Sequence, residues 1–227
     1  MSNQDNAADR NALAVSRRDF LKYSGLTLVG VYVSGCEIGP GGDRKPALGY
    51  LLVDMKKCQG CVSCMLACSL VHHGVENLSL SRIQVLQNPH EAFPNDLIIT
   101  QCRQCLEPAC AAACPVNALK PDSNYDNIIT VDIERCIGCM KCVHACPYPP
   151  SRAIWNFDEG HSQKCDLCAK TPYWNETGGL DGKKACVEIC PLDAIIFTTQ
   201  TPVQEGNDGY SINLRGEEWE RLGYSID

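Results

Sequence analysis

The chain has 227 residues, 17 of them cysteine, and a formal charge of −7. Its length suits one or two compact domains, but so many cysteines within a 44% hydrophobic content mean that something besides aliphatic packing fills the interior. No Lys/Arg cluster of the kind that tracks a phosphate backbone is present, which excludes nucleic acid as a partner.

Residues 1–15 are polar and unpatterned; Ser16-Arg17-Arg18-Asp19-Phe20-Leu21-Lys22 follows, then an apolar stretch from Leu26 to Val33. That stretch is too short to span a bilayer of about 30 Å, so it reads as an export signal and not as a transmembrane helix. The paired Arg17 and Arg18 resemble the twin-arginine signal, an address that carries already folded proteins across bacterial membranes. Val33-Ser34-Gly35-Cys36 resembles a lipobox, in which the cysteine is acylated, and Cys36 is the one cysteine that fits none of the spacings below. The Gly/Pro-rich segment from Gly39 to Pro46 reads as a flexible tether. The expected organisation is a signal peptide over 1–35, a tether over 36–48, a cysteine-rich domain over 49–200 and a C-terminal extension over 201–227. The protein is expected on the periplasmic side, held to the membrane surface through acylated Cys36.

The other sixteen cysteines fall into four quartets. Cys58, Cys61, Cys64 and Cys68 form C-x2-C-x2-C-x3-C, and Cys136, Cys139, Cys142 and Cys146 repeat it with Pro147 following. Between them lie Cys102, Cys105, Cys110 and Cys114-Pro115; the last quartet is Cys165, Cys168, Cys186 and Cys190-Pro191. The repetition extends past cysteine. Val53-Asp54-x-x-Lys57-Cys58-x-Gly60-Cys61 matches Val131-Asp132-x-x-Arg135-Cys136-x-Gly138-Cys139, and Ala109-Cys110-x-x-x-Cys114-Pro115-x-x-Ala118 matches Ala185-Cys186-x-x-x-Cys190-Pro191-x-x-Ala194. The chain therefore reads as a tandem repeat of one two-motif unit.

Three thiolates two residues apart can wrap a short loop around three corners of a cubane iron-sulfur cluster, with backbone N–H groups bonded to sulfur. The third and fourth cysteines of a quartet, four apart on a short helix, share one face. Gly60 and Gly138 lie inside these loops, where close approach or positive φ favours a residue without Cβ. Disulfides need no such density of thiols, and a chain exported after folding can receive metal in the reducing cytoplasm. Zinc uses paired C-x2-C knuckles and leaves the third equally spaced cysteine unexplained.

Short β-prone runs flank the motifs at Tyr50 to Val53, Leu97 to Thr100, Ile128 to Ile133, Ala153 to Phe157 and Ile195 to Thr199. They predict small hairpins bracketing cluster loops and short helices. Val75 to Pro94 reads as surface loop with one strand near Ile83 to Leu86.

C-x2-C-x2-C-x3-C-P is the bacterial ferredoxin pattern. Four such quartets over roughly residues 50–200 resemble the four-cluster iron-sulfur subunits of the dimethyl-sulfoxide-reductase and formate-dependent-nitrite-reductase families; details around Leu80-Ser81-Arg82-Ile83 resemble the branch that accompanies aldehyde:ferredoxin oxidoreductase-type enzymes. The resemblance implies an α+β fold of tandem bacterial-ferredoxin-like units, with short hairpins and short helices around four cubane 4Fe-4S clusters. It also implies that outer quartets pair, as do inner ones, and exchange fourth ligands. One cluster would take Cys58, Cys61, Cys64 and Cys190; a second Cys102, Cys105, Cys110 and Cys146; a third Cys136, Cys139, Cys142 and Cys114; a fourth Cys165, Cys168, Cys186 and Cys68. The partners implied are a larger molybdenum- or tungsten-containing catalytic subunit and a quinone-reactive membrane subunit or cytochrome. A free-standing exported polyferredoxin serving several partners is the alternative.

No nucleophile with its base, acid-base carboxylate pair or phosphate-binding loop stands out, so no substrate site of its own is expected. Lys57, Arg135 and Lys164 each precede the first cysteine of a quartet, where positive charge would favour a reduced cluster; solubility is the alternative reading. His72, His73, His90, His144 and His161 are expected at the surface. The 17-residue insertion between Cys168 and Cys186, with Tyr173, Trp174 and Gly178-Gly179, reads either as a partner-docking loop or as a solvated excursion.

Overall fold

The computed structural model describes residues 45–174, 182–206 and 209–223, all within the unit Gly41–Asp227. Arg17, Arg18, Cys36 and Gly178-Gly179 lie outside the described residues. In chain order the elements are β1 Tyr50–Val53, α1 Ser63–His73, β2 Gln84–Gln87, β3 Leu97–Thr100, α2 Ala109–Ala112, β4 Leu119–Asp122 and β5 Ile128–Val131. They continue with α3 Lys141–Ala145, β6 Ala153–Asn156, β7 His161–Lys164, α4 Ala185–Glu188, β8 Ile195–Thr198 and α5 Glu217–Arg221. This is a small mixed architecture of short helices and antiparallel strand pairs, compatible with the α+β expectation. Among the described residues no helix is long and apolar enough to cross a membrane.

The strands form four two-stranded antiparallel sheets: β1–β8, β2–β3, β4–β5 and β6–β7. Three are hairpins, as the sequence predicts. The fourth is not: β1 pairs with β8, Tyr50 opposite Thr198 and Val53 opposite Ile195, so it joins the two ends of the cysteine-rich segment. Helix α1 packs on α4 and α2 on α3, which brings the first quartet to the last and the second to the third.

Equivalent positions of the duplicated motifs make equivalent bonds. Asp54 N–H donates to Ala194 O at 2.9 Å and Asp132 N–H to Ala118 O at 2.8 Å; Cys58 N–H donates to Asp54 O at 3.2 Å and Cys136 N–H to Asp132 O at 3.1 Å. Val62 and Met140, one residue after the second cysteine of their quartets, both adopt positive φ and open α1 and α3. Asn117 and Asp193, two residues after the C-P pairs, do the same. Gly138 has φ +69, and a Cβ there would fall 2.8 Å from Gly160 O, which accounts for glycine at this loop position.

The core is small and sulfur-rich. Leu51, Val53, Ile83, Ile99, Ile128, Leu167 and Ile195 pack with Cys64, Cys68, Cys102, Cys165 and Cys186 in one cluster. Ala118, Leu119 and Ile129 pack around Cys142 in a second.

The segment from Val75 to Pro94 is largely exposed and carries the one expected strand, but the surface-loop reading fails at Leu80 to Ile83. A 3-10 turn, Leu78–Leu80, leads into buried Leu80, Ser81 and Ile83, and β2 begins one residue later than expected. The C-terminal extension is bound to the domain: Val53 N–H donates to Tyr210 O at 3.0 Å and Ile212 N–H to Val53 O at 2.9 Å. Buried Asp54 accepts from Lys56 N–H at 3.0 Å and Leu214 N–H at 2.8 Å, and it pairs with Arg215 Nε at 3.2 Å. Asp54 thus fixes the loop entering Cys58 and the extension together. Because removing one partner of a buried pair leaves the other uncompensated, Asp54→Ala is expected to cost roughly 3 kcal/mol. Its thermal unfolding midpoint should fall, and limited proteolysis should cut the chain after residue 200 faster than in the parent protein.

Candidate metal centres

Among the described residues all sixteen quartet cysteines are free thiols, none in a disulfide. They line cavities in sets drawn from distant parts of the chain. One small cavity has Cys58, Cys61, Cys64 and Cys190 in its wall; another has Cys68, Cys165, Cys168 and Cys186. A third has Cys102, Cys105, Cys110 and Cys146. Of the remaining four, Cys114 and Cys136 pack against the apolar cluster that contains Cys142, and Cys139 is exposed on the loop between Cys136 and Cys142. In every cavity one cysteine comes from a quartet other than that of its neighbours.

Each contributed fourth cysteine has its sulfur fixed by backbone. Arg82 N–H donates to Cys68 Sγ at 3.4 Å and Arg152 N–H to Cys146 Sγ at 3.2 Å. Ala118 N–H donates to Cys114 Sγ at 3.2 Å and Ala194 N–H to Cys190 Sγ at 3.3 Å. Such donors favour sulfur carrying negative charge.

The electrostatics of the bare thiols explain what the cavities require. Burial, with the charges of neighbouring cysteines adding, pushes the Cys64, Cys110 and Cys168 thiols up to about 12. Burial also raises Cys165 and Cys186 well above the ordinary thiol value. Four thiolates confined in an apolar cavity are therefore unstable without a compensating cation. A single zinc ion would draw four sulfurs to within about 2.3 Å of one point. Among the described residues no three His, Cys, Asp or Glu side chains are gathered tightly enough to hold one ion. The donor set thus fits a polynuclear centre with thiolate ligands at its corners, and a 4Fe-4S cluster is the group with that demand.

A buried ionic network braces the Cys165 cavity. Asp166 accepts from His72 Nε2 at 3.0 Å, Arg82 Nη1 at 2.6 Å and Cys168 N–H at 3.2 Å, and His72 Nδ1 donates to Cys68 O at 2.7 Å. Burial would raise the Asp166 carboxyl, but Arg82 and His72 outweigh it and hold it well below the usual carboxylate range. Burial would likewise lower the His72 imidazolium, but Asp166 and Cys68 raise it to about 9. His72 is 7% exposed, which corrects its reading as a surface residue: its position on α1, one turn after Cys68, turns it inward. His90 and His144 are exposed, as expected.

The three residues preceding quartets separate. Arg135 is exposed, Lys57 Nζ donates to Leu214 O at 3.3 Å, and Lys164 is 3% exposed, bonded through Nζ to Ile129 O and to Cys165 O at 3.3 Å. Solubility does not account for Lys164. It faces the Cys102 cavity, a quartet other than the one it precedes. Arg82 enters the sequence reading only within Leu80-Ser81-Arg82-Ile83 and Arg152 not at all; Arg152 follows Cys146 by six residues, but Arg82 lies 14 residues beyond Cys68, past the rest of α1 and a 3-10 turn, and only the fold returns it to that sulfur. Of the insertion, Tyr173 and Trp174 are exposed, with Tyr173 N–H donating to Val71 O at 3.3 Å.

Asp166→Asn would leave Arg82 and His72 buried without their counter-charge, at a cost of roughly 3–5 kcal/mol. The purified variant is expected to hold less iron per chain than the parent, while Asp158→Asn, in an exposed turn, retains it; equal iron in both variants would contradict the bracing role.

Residues 95–200 match the family described as 4Fe-4S dicluster domain. The chain is 32% identical over 153 residues to the putative electron transport protein YsaA of Escherichia coli (strain K12), covering 64% of this chain and 87% of that one. To the thiosulfate reductase electron transfer subunit PhsB of Salmonella typhi it is 35% identical over 152 residues, 65% and 73% of the two chains. To the NADH-dependent phenylglyoxylate dehydrogenase subunit beta of Aromatoleum evansii it is 34% identical over 155 residues; that match takes in 67% of this chain but only 31% of the longer relative. The chain belongs to the 4Fe-4S dicluster ferredoxin family, and its role is electron transfer by an iron-sulfur protein, not catalysis at a substrate site.

Proposed function

We propose that the protein is an exported electron-transfer subunit that holds four 4Fe-4S clusters and serves a larger catalytic oxidoreductase chain. The observation that carries this reading is the set of three thiol cavities, each with four cysteines from two separate quartets. The ligand sets are Cys58, Cys61, Cys64 and Cys190; Cys68, Cys165, Cys168 and Cys186; Cys102, Cys105, Cys110 and Cys146; and Cys114, Cys136, Cys139 and Cys142. Paired strands, helices and backbone bonds at equivalent positions support a duplicated unit. Each bound cluster supplies a site that takes up and releases one electron.

The residues also support an order for the four sites. Cys165, Cys186 and Cys68 pack in one buried cluster with Cys64 of the Cys58 set and Cys102 of the Cys102 set, which supports placing the Cys165 set between those two. Cys110 and Cys142 pack in one apolar cluster, which brings the last set next to the Cys102 set. The exposed cysteines Cys61 and Cys139 fall in the two end sets. Partners would exchange electrons there, where the protein between solvent and ligand is thinnest.

Twin arginines at Arg17 and Arg18 support export in the folded state, and Cys36 in a lipobox-like sequence supports attachment to the membrane surface. The catalytic partner we propose is a molybdenum- or tungsten-containing chain, with a quinone-reactive membrane subunit or cytochrome on the other side.

Metal analysis tests the cluster reading. The purified chain should contain roughly sixteen irons and matching sulfide, with broad visible absorption bleached by dithionite; zinc without iron, or half that iron, would contradict it. Gentle detergent extraction from the native host tests the partner: a large molybdenum- or tungsten-containing chain should co-purify, and recovery of the protein alone would favour a free polyferredoxin.

A further inference from the structure

The thiol cavities differ in a property that cysteine spacing does not encode, the charge in their walls. The Cys58 cavity has no Asp, Glu, Lys, Arg or His in its lining. The Cys165 cavity sets His72, Arg82 and Lys184 against Asp166. The Cys102 cavity is lined by Arg103, Arg152 and Lys164 and by no acid.

Two of these cations are buried beside the thiols. Arg152 is 9% exposed, and its Nε and Nη1 have no hydrogen-bond partner among the described residues. Lys164 reaches from the start of the last quartet to Ile129 O on β5, the strand that packs beside β7, and its ammonium lines the cavity of the Cys102 set. Arg103 differs from both: its guanidinium stacks on the Tyr148 ring at 4.0 Å and on Tyr210 at 4.9 Å, which disperses its charge over aromatic faces.

We infer that Arg152 and Lys164 raise the reduction potential of the cluster held by Cys102, Cys105, Cys110 and Cys146, making it the site in this part of the chain that an electron occupies first. The inference rests on the cluster reading above. Its sign follows from charge: a cubane with four thiolates becomes more negative on taking an electron, and a cation fixed in a wall of low dielectric stabilises that state more than the oxidised one. Burial alone works the other way, disfavouring the more charged state, and in the Cys58 cavity no charged side chain of the lining opposes it. The unpartnered N–H groups of Arg152 act in the same direction as its charge. Buried donors without an acceptor are costly, the cavity they line offers sulfur, and N–H···S bonds strengthen as the sulfur gains electron density.

The test is a redox titration of the holoprotein followed by electron paramagnetic resonance, with iron and sulfide measured on each sample. Lys164→Met and Arg152→Met are each expected to lower one and the same midpoint potential, by at least tenfold in the oxidised-to-reduced ratio at fixed potential, or 59 mV for one electron. The other potentials should move less, and Lys164→Arg should hold the parent value. Should Lys164→Met fail to retain its clusters, Arg152→Met and Arg152→Lys carry the test, the second holding the potential and the first lowering it. Unmoved potentials, shifts in different clusters, or charge-retaining variants as low as the methionine ones would overturn the inference. A chain without iron would instead overturn the cluster reading on which it rests.

Discussion

The structure depends on bringing thiol groups together where water is scarce. Each cavity holds four sulfurs from two distant segments, and the protein cannot keep them as thiolates on its own, since burial and mutual repulsion drive Cys64, Cys110 and Cys168 up to about 12. A cationic cluster removes that penalty and adds bonds that tie the segments together. In a core with so few aliphatic side chains, metal binding would then be a large part of what holds the chain folded. The exchange of fourth cysteines proposed above would make this cooperative. Losing Cys190 or Cys68 would weaken a site on each side of the contact between α1 and α4.

Backbone geometry sets the sulfurs in advance. Positive φ at Val62 and Met140 turns the chain from cysteine loop into helix, and Asn117 and Asp193 turn it again after the C-P pairs. The N–H groups of Ala118 and Ala194 are thereby aimed at Cys114 and Cys190. These bonds lie at matching places of the two repeated motifs.

Much of this was legible in the residues. Five β-prone runs became strands within a residue or two of their expected ends, because each couples β-branched or aromatic side chains to a neighbouring motif. The strands β4 and β7 were not foreseen. Leu119–Asp122 contains Pro121 and Asp122, and His161–Lys164 is polar throughout; each is a strand because its hairpin partner, β5 or β6, supplies the pattern. The pairing of β1 with β8 is long-range and leaves no local trace. His72 was misread because one histidine on a helix says nothing about a carboxylate 94 positions away. Lys164 was recognised as a charge beside a ligand, but only the fold reveals that it serves another quartet's cavity.

The same ligand chemistry thus meets three different surroundings: an uncharged wall, a balanced ionic network and a cationic wall. Four cysteines at each site set what binds, and the residues between quartets set how readily each site is reduced. The central claim, four polynuclear iron centres with exchanged ligands, is tested most directly by X-ray diffraction at the iron absorption edge from crystals of the holoprotein. Four compact groups of anomalous scattering are expected, one in each cysteine set, with Cys190, Cys68, Cys146 and Cys114 reaching the cluster of the other quartet. Single-atom peaks, scattering at the zinc edge, or fourth cysteines bound within their own quartets would contradict the account.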